Sequence, residues 1–268
     1  MIFVGIVTCD RPGFFEKCYS RVTACSAVDL VAVVNDGKTD VKVGNNTVYI
    51  KNKKNMGVGK SKNILFREAL KRKEVEHIFI IEDDILVENC EVFDEYIRAR
   101  NITGIQHFIF GYHGPANRGN ISGGKPCPRY VVDYKVLKLA INAHSVGAFC
   151  YYTRQSLQHT GLIDEEYLNA FDHVDHDYRL AIDGFTTPYW NWPDLANSYE
   201  YLSEIECSEN NSSIRPRSDW MDNIKKGATL FEKKHGYLPA WQNHVPDTTR
   251  DNLTQILKDI KHKNSLPC

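Results

Sequence analysis

Glu82, Asp83 and Asp84 stand side by side directly after Ile78-Phe79-Ile80-Ile81. The apolar run predicts a buried strand of a parallel sheet, which reads as continuous rather than alternating hydrophobicity. Three carboxylates at the carboxyl end of such a strand are costly unless something neutralises them. A divalent cation holding a nucleoside diphosphate would do so, because hard cations prefer carboxylate and phosphate oxygens. Open α/β sheets also place ligands at the carboxyl ends of their strands. The competing reading is a solvated acidic turn, and the triplet alone does not choose between the two.

The elements around the triplet favour the first reading. Residues 2–8 predict a strand, followed by the turn Cys9-Asp10-Arg11-Pro12-Gly13. A helix is expected from Phe14 to Cys25. A second strand is expected from Asp29 to Val34, ending in the turn residues Asn35-Asp36-Gly37, and a short third strand from Thr47 to Ile50. Asn55-Met56-Gly57-Val58-Gly59 reads as a loop opening a helix from Lys60 to Lys73, and His77 to Ile81 is the fourth strand. Strands and helices at this pace predict a nucleotide-binding α/β half.

Residues 111–129 are rich in Gly and Pro and predict a long loop of the kind that covers binding sites. Residues 130–141 alternate as a strand or hairpin. Val146 to Tyr152 reads as a buried strand, and Thr153 to Thr160 as a short helix. Helices are expected from Met221 to His235 and from Thr248 to Lys263. The fold class is therefore α/β, a mixed and mostly parallel Rossmann-like sheet flanked by helices. The expected division is a domain over 1–200, with halves 1–100 and 101–200, and a helical C-terminal extension over 201–268.

The formal net charge of −1 gives no global field toward nucleic acid or anionic membrane. Eight cysteines without a Cys-x-x-Cys pair argue against a structural zinc site and predict reduced thiols. Met1 leads straight into a strand-like run, with neither a basic leader nor a long apolar span. Together these predict a cytoplasmic protein.

Read in order, the segments resemble the GT-A fold glycosyltransferases, most closely the family 2 type of the nucleotide-diphospho-sugar transferases. "VTCDRP" is similar to the family's "VTYNRP", "VVNDGKTD" to "VVDDGSTD", and "NMGVGKSKNILFREAL" to its "NxGxxxARNxG" helix start. "IFIIEDDILVEN" occupies the place of the metal-binding Asp-x-Asp, in the Glu-Asp-Asp form of the N-acetylglucosaminyltransferase I group. "GLIDEEYLNAFDHVDHDYRLAIDGF" resembles the acceptor-side "GxFDExYxxxxEDxDxxxRxxxxG". The likeness spans residues 2–190.

The resemblance implies a metal-dependent, inverting transfer from a nucleoside-diphosphate sugar, most readily a UDP-sugar. It implies that Thr8, Asp10 and Arg11 border the nucleoside and that Asp36 accepts from uracil N3–H, although a turn-bracing Asp reads the same way. Asn55, Gly57, Lys62 and Asn63 would line the next loop, with Lys62 standing where the family has Arg. Asp84 would bind Mn²⁺ or Mg²⁺, Asp83 would be a second ligand or lie near the ribose, and Glu82 would set the local field.

Where the family has Glu-Asp this chain has Asp172-His173, so either residue is the expected base. His173 is alternatively a metal ligand or a polar helix residue. Asp175 would orient the base and pair with Arg179 one helical turn on. Asp164, Glu165, His144 and Trp190 are the expected acceptor contacts, against capping for the acids and core packing for the aromatic ring.

The sequence does not write the acceptor; the classes expected are a glycan, or a sugar or hydroxymethyl group on modified phage DNA, the latter through Lys51–Lys73 and Arg215-Pro216-Arg217. Two other classes stay open. A nucleotidyltransferase would carry a Gly-rich basic loop after the first strand, which Cys9–Gly13 matches poorly. A non-catalytic nucleotide-sugar binder is suggested by His173 in place of an acid.

Overall fold

A computed structural model describes residues 1–121, 123–188, 190–205, 218–238 and 255–260. In chain order the elements begin β1 (Ile2–Thr8), α1 (Pro12–Thr23), β2 (Leu30–Asn35), β3 (Thr47–Lys51), α2 (Val58–Leu70), β4 (His77–Glu82), β5 (Ile85–Val87) and α3 (Val92–Thr103). They continue with β6 (His107–Ile109), β7 (Tyr130–Asp133), β8 (Lys138–Asn142), β9 (Phe149–Thr153), α4 (Arg154–Thr160), α5 (Asp172–Ile182), β10 (Trp192–Leu195), β11 (Leu202–Glu204) and α6 (Trp220–His235).

The central sheet has the order β3-β2-β1-β4-β9-β6. Strands β1 to β4 are parallel, and β9 runs antiparallel to both β4 and β6. The sheet is thus mixed and mostly parallel, as expected. Its last two strands come from beyond residue 100. The uninterrupted apolar run of β4 has a direct cause. Phe79 and Ile81 pack into the core layer shared with Phe15, Phe93 and Tyr96, while Ile78 and Ile80 pack into the layer shared with Leu65, Phe66 and Leu180. Both faces are covered by helices, so the four side chains from Ile78 to Ile81 are all buried, each worth about 1.5–3 kcal/mol of transfer.

Two small sheets complete the fold. β8 pairs with β7 as the expected hairpin and with β10, and β11 pairs with β5 immediately after the acidic triplet. Residues 111–121 and 123–129 belong to the expected long loop between β6 and β7.

Helix α1 starts two residues before the expected Phe14 because Pro12 supplies the pre-set φ of a first helical position. Helix α2 likewise starts at Val58, directly after Gly57. Of the predicted helix over 248–263, residues 255–260 are helical and the remainder lies outside the described residues. Arg215-Pro216-Arg217, Cys207 and Cys268 also lie outside them.

The expectation of reduced thiols fails at one pair. Cys25 and Cys90 form a disulfide with their Cα atoms 5.2 Å apart, tying the end of α1 to the turn before α3. Their 65-residue separation in sequence hid a closeness that only packing creates. The cysteine argument for a reducing compartment goes with it. Among the described residues no helix is long and apolar enough to cross a membrane.

Candidate functional site

The parallel register brings the ends of β1, β2 and β4 together. Thr8 lies opposite Asn35 and Val7 opposite Glu82, so Thr8, Asp36 and Asp83 meet at one edge of the sheet. Thr8 Oγ1 donates to Asp83 Oδ2 at 2.6 Å. The Arg11 guanidinium donates to Asp83 Oδ1 and, at 3.1 Å, to Asp84 Oδ2. Asp83 is fully buried, and that burial pushes its carboxyl up to about 7, against the pull of Arg11 and Thr8.

Lys62 lies beneath the triplet. Its ammonium is buried and donates to Glu82 Oε1 at 2.7 Å and to the Gly147 carbonyl at 2.7 Å. Burial alone would lower its pKa, but Glu82 and then Asp172 outweigh it and hold Lys62 charged. Lys62 therefore sits under the acids rather than in the loop, and Glu82 is its counter-ion.

Asp36 braces a turn and lines the cleft, whereas Asp10 braces a turn beside it. Asp36 Oδ1 accepts from Met56 N and Asn52 Nδ2, each at 2.7 Å, and Oδ2 accepts from Gly57 N at 2.9 Å. Gly57 has φ 89°, a conformation glycine enters freely. Asp10 Oδ1 accepts from Lys38 N and Thr39 N. Asn55 donates to the Asp36 carbonyl at 3.2 Å. Thr8, Arg11, Asp36, Asn55, Asp83 and Asn169 line a cleft at this edge. Asn169 was not anticipated; its Oδ1 accepts from Val58 N at 3.2 Å and so ties the acceptor-side segment to the start of α2.

Asn63 does not reach the cleft. Its side chain clamps both backbone groups of Ile163, at 2.8 and 3.0 Å, and donates to Glu165 Oε1. Glu165 also accepts from Arg67, and Asp164 accepts from Glu166 N and pairs with Lys234. Both acids are thereby held below the usual carboxylate range. For Glu165 the Asn63 bond leads; for Asp164 the Lys234 and Glu166 bonds overcome an opposing burial effect.

Helix α5 opens with Asp172 and His173. Asp172 is buried, and among the described residues its Oδ2 has no hydrogen-bond partner. Burial would raise its pKa, yet His173 and then Lys62 pull it below the usual range. The His173 side chain is 30% exposed, with Nδ1 3.8 Å from Asp172 Oδ1. Burial would lower its pKa, but Asp172 and then Asp177 raise it. The ring lies against Gly147, where a Cβ would come within 2.9 Å of His173 Cγ.

Asp175 is fully engaged, accepting from Tyr167 OH, His235 and Arg179 Nε at 3.2, 2.8 and 2.9 Å. The predicted Asp175–Arg179 pair exists within α5, and the Asp175–His235 contact braces α5 against α6. Trp190 stacks on Tyr178 at 5.3 Å within an aromatic cluster that includes Phe231, in keeping with core packing. His144 is exposed, and both its backbone groups bond Asn117.

His113, from the long loop, was not foreseen. Its Nε2 lies 3.6 Å from Asp84 Oδ1 and 3.7 Å from Glu204 Oε2. Its pKa is raised because these acids overcome burial. The one available signal was a histidine inside a Gly/Pro-rich loop. Among the described residues no three His, Cys, Asp or Glu side chains stand as a preformed metal cage. The Arg11 guanidinium bridges Asp83 and Asp84 instead. The two adjacent carboxylates are hard oxygen donors and fit Mn²⁺ or Mg²⁺ once that guanidinium moves.

No protein-family model matches the chain, and no curated protein matches it in sequence. Among solved structures it is similar to GalNAc-T7 with UDP, GalNAc and Mn²⁺, at 11% identity and a TM-score of 0.54, over 97% of this chain. The chain spans 54% of that protein's length. Also similar are a Pyrobaculum calidifontis mannosyltransferase in complex with GDP-Man and Mn²⁺ (12% identity, 98% of this chain and 86% of the other, TM-score 0.48) and the catalytic domain of Drosophila beta1,4galactosyltransferase 7 with xylobiose (13%, 79% and 73%, TM-score 0.48). The chain has the GT-A fold.

Proposed function

We propose that this chain is a metal-dependent glycosyltransferase that moves a sugar from a nucleoside-diphosphate donor, most readily a UDP-sugar, to an acceptor hydroxyl with inversion. The observation that carries this reading is a single bridge. Lys62 joins Glu82 of the acidic triplet to Gly147, and His173 lies against that same glycine. Glu82, through Lys62, and His173 thus converge on one glycine, which supports reading the acids and the Asp172–His173 pair as parts of one site. A GT-A structure similar to this chain was solved with UDP and Mn²⁺.

In this reading Thr8, Asp36 and Asn55 border the nucleoside, with Asp36 keeping acceptor capacity on Oδ2. Asp84 and Asp83 would hold the cation, with His113 beside them. Bound there, Mn²⁺ or Mg²⁺ would supply Lewis-acid screening of the leaving diphosphate. His173 is the exposed member of the Asp172–His173 pair, so it takes the acceptor proton, and buried Asp172 steadies the imidazolium that forms. The hydroxyl then attacks the anomeric carbon from the face opposite the diphosphate. Glu165 and Asp164 shape the acceptor side through Asn63, Arg67 and Lys234 rather than as free carboxylates. With a net charge of −1, a glycan acceptor is favoured over modified DNA.

The test is turnover of a panel of nucleotide sugars with Mn²⁺ and mixed glycan or hydroxymethylated-DNA acceptors, in the wild type and in Asp84→Ala and His173→Ala. Both variants are expected to lose at least about 100-fold in kcat. A full-rate Asp84→Ala enzyme refutes the metal assignment. A full-rate His173→Ala enzyme moves the base to Asp172. Salt-sensitive binding of duplex DNA would select the DNA acceptor.

A further inference from the structure

The acidic triplet already has two resident cations, and they differ in kind. Lys62 is locked below the site, 3% exposed and held on its far side by the Gly147 carbonyl. Arg11 is the residue at the N-terminal boundary of α1, 15% exposed, and it lines the nucleotide-side cleft with its guanidinium 5.3 Å over the Phe14 ring. Its fork reaches across both Asp83 and Asp84. It therefore occupies the two carboxylates that a divalent ion would need.

We propose that Arg11 is a counter-cation for Asp83 and Asp84 in the free protein, displaced when metal and nucleotide arrive together, and that its guanidinium then pairs with the diphosphate. This rests on the reading of the site as a metal–nucleotide site. The three carboxylates thus face Lys62 and Arg11, with His113 and Glu204 beyond Asp84. Two cations facing the same pair of buried carboxylates repel each other strongly where water does not screen them, so a divalent ion alone meets a blocked site. A diphosphate alone meets the acids. Arriving together, they give each charge a partner: carboxylate and phosphate oxygens for the metal, phosphate oxygens for the guanidinium. Arg matches the oxygen spacing of phosphate as well as it matches carboxylate, so the exchange needs a side-chain swing rather than a backbone change. Arg11 thereby couples the two ligands, making each tighten the other by the same factor.

The test is Mn²⁺ binding, read from the free-ion electron paramagnetic resonance signal, for wild type, Arg11→Met and Asp84→Ala, each with and without UDP. Arg11→Met is expected to bind Mn²⁺ without UDP about tenfold more tightly than wild type, because a like charge a few ångström away is gone. UDP is expected to raise its Mn²⁺ affinity by a smaller factor than in wild type. Unchanged or weaker Mn²⁺ binding by Arg11→Met without UDP overturns the proposal, and so does an undiminished UDP effect. Arg11→Gln carries the same expectations and replaces the methionine variant should that chain fail to fold. The outcome for the proposed function is separate. If Asp84→Ala still binds Mn²⁺ and UDP as wild type does, the metal assignment itself falls, whatever Arg11 does.

Discussion

Lys62 offers the sharpest test of how the site is held. Its ammonium makes two bonds of 2.7 Å, one to Glu82 and one to the carbonyl of Gly147, 85 residues away. Replacing it with methionine keeps the stem and removes the charge. The Gly147 carbonyl then loses its donor in a buried setting, and Glu82 loses its counter-ion. Breaking a buried pair from one side costs about 3–5 kcal/mol. Glu82 is 25% exposed, so water partly rehydrates it, and the expected loss sits at the low end, about 3 kcal/mol. Glu82→Gln alone should cost about 1–2 kcal/mol, because the amide oxygen can still accept from Lys62. The double variant should lose less than the sum by about 1–2 kcal/mol, since neither half is then left unpaired. Urea unfolding at pH 7, followed by tryptophan fluorescence, reads all four corners of this cycle. A Lys62→Met loss below about 1 kcal/mol, or strict additivity, would refute the claim that this lysine ties the triplet to the Gly147 loop.

Two further outcomes follow from buried groups around α5. His176 is fully buried against Phe66 and Tyr152, and burial, helped by Arg179, pushes its pKa down to about 3. The unfolded chain therefore takes up a proton below about pH 6.5 that the folded chain refuses, so stability falls as pH drops, by about 2 kcal/mol per such group between pH 7 and 5. His176→Phe should flatten that part of the urea-stability profile against pH, whatever its absolute stability; an unchanged slope would contradict the assignment. Gly147→Ala would push its new methyl into the His173 ring, 2.9 Å from Cγ. Turnover should fall at least about tenfold in kcat while stability changes by only about 1–2 kcal/mol, and an enzyme of normal kcat would show that the ring position is not critical.

The sequence by itself determined the four parallel strands of the sheet and the strand ends where polar residues gather. The apolar run of β4 reads as buried on both faces because both faces are in fact covered. Asn35-Asp36-Gly37 and the Gly57 loop read as turns because they need short polar side chains or a positive φ, and both are local demands. Strand ends that carry polar residues are legible for the same reason, so the edge holding Thr8, Asp36 and Asp83 could be named in advance. Individual partners were another matter. Nothing in the local pattern says that Arg11 spans Asp83 and Asp84, that Lys62 turns under the triplet, or that Asp175, besides its legible pair with Arg179, is taken up by Tyr167 and His235. The Cys25–Cys90 link and the approach of His113 to Asp84 belong to the same class. Periodicity and turn chemistry encode which residues are buried and where the chain bends. Which charge meets which is settled by strands and helices packing across tens of residues of sequence, and that choice is made only in the tertiary structure.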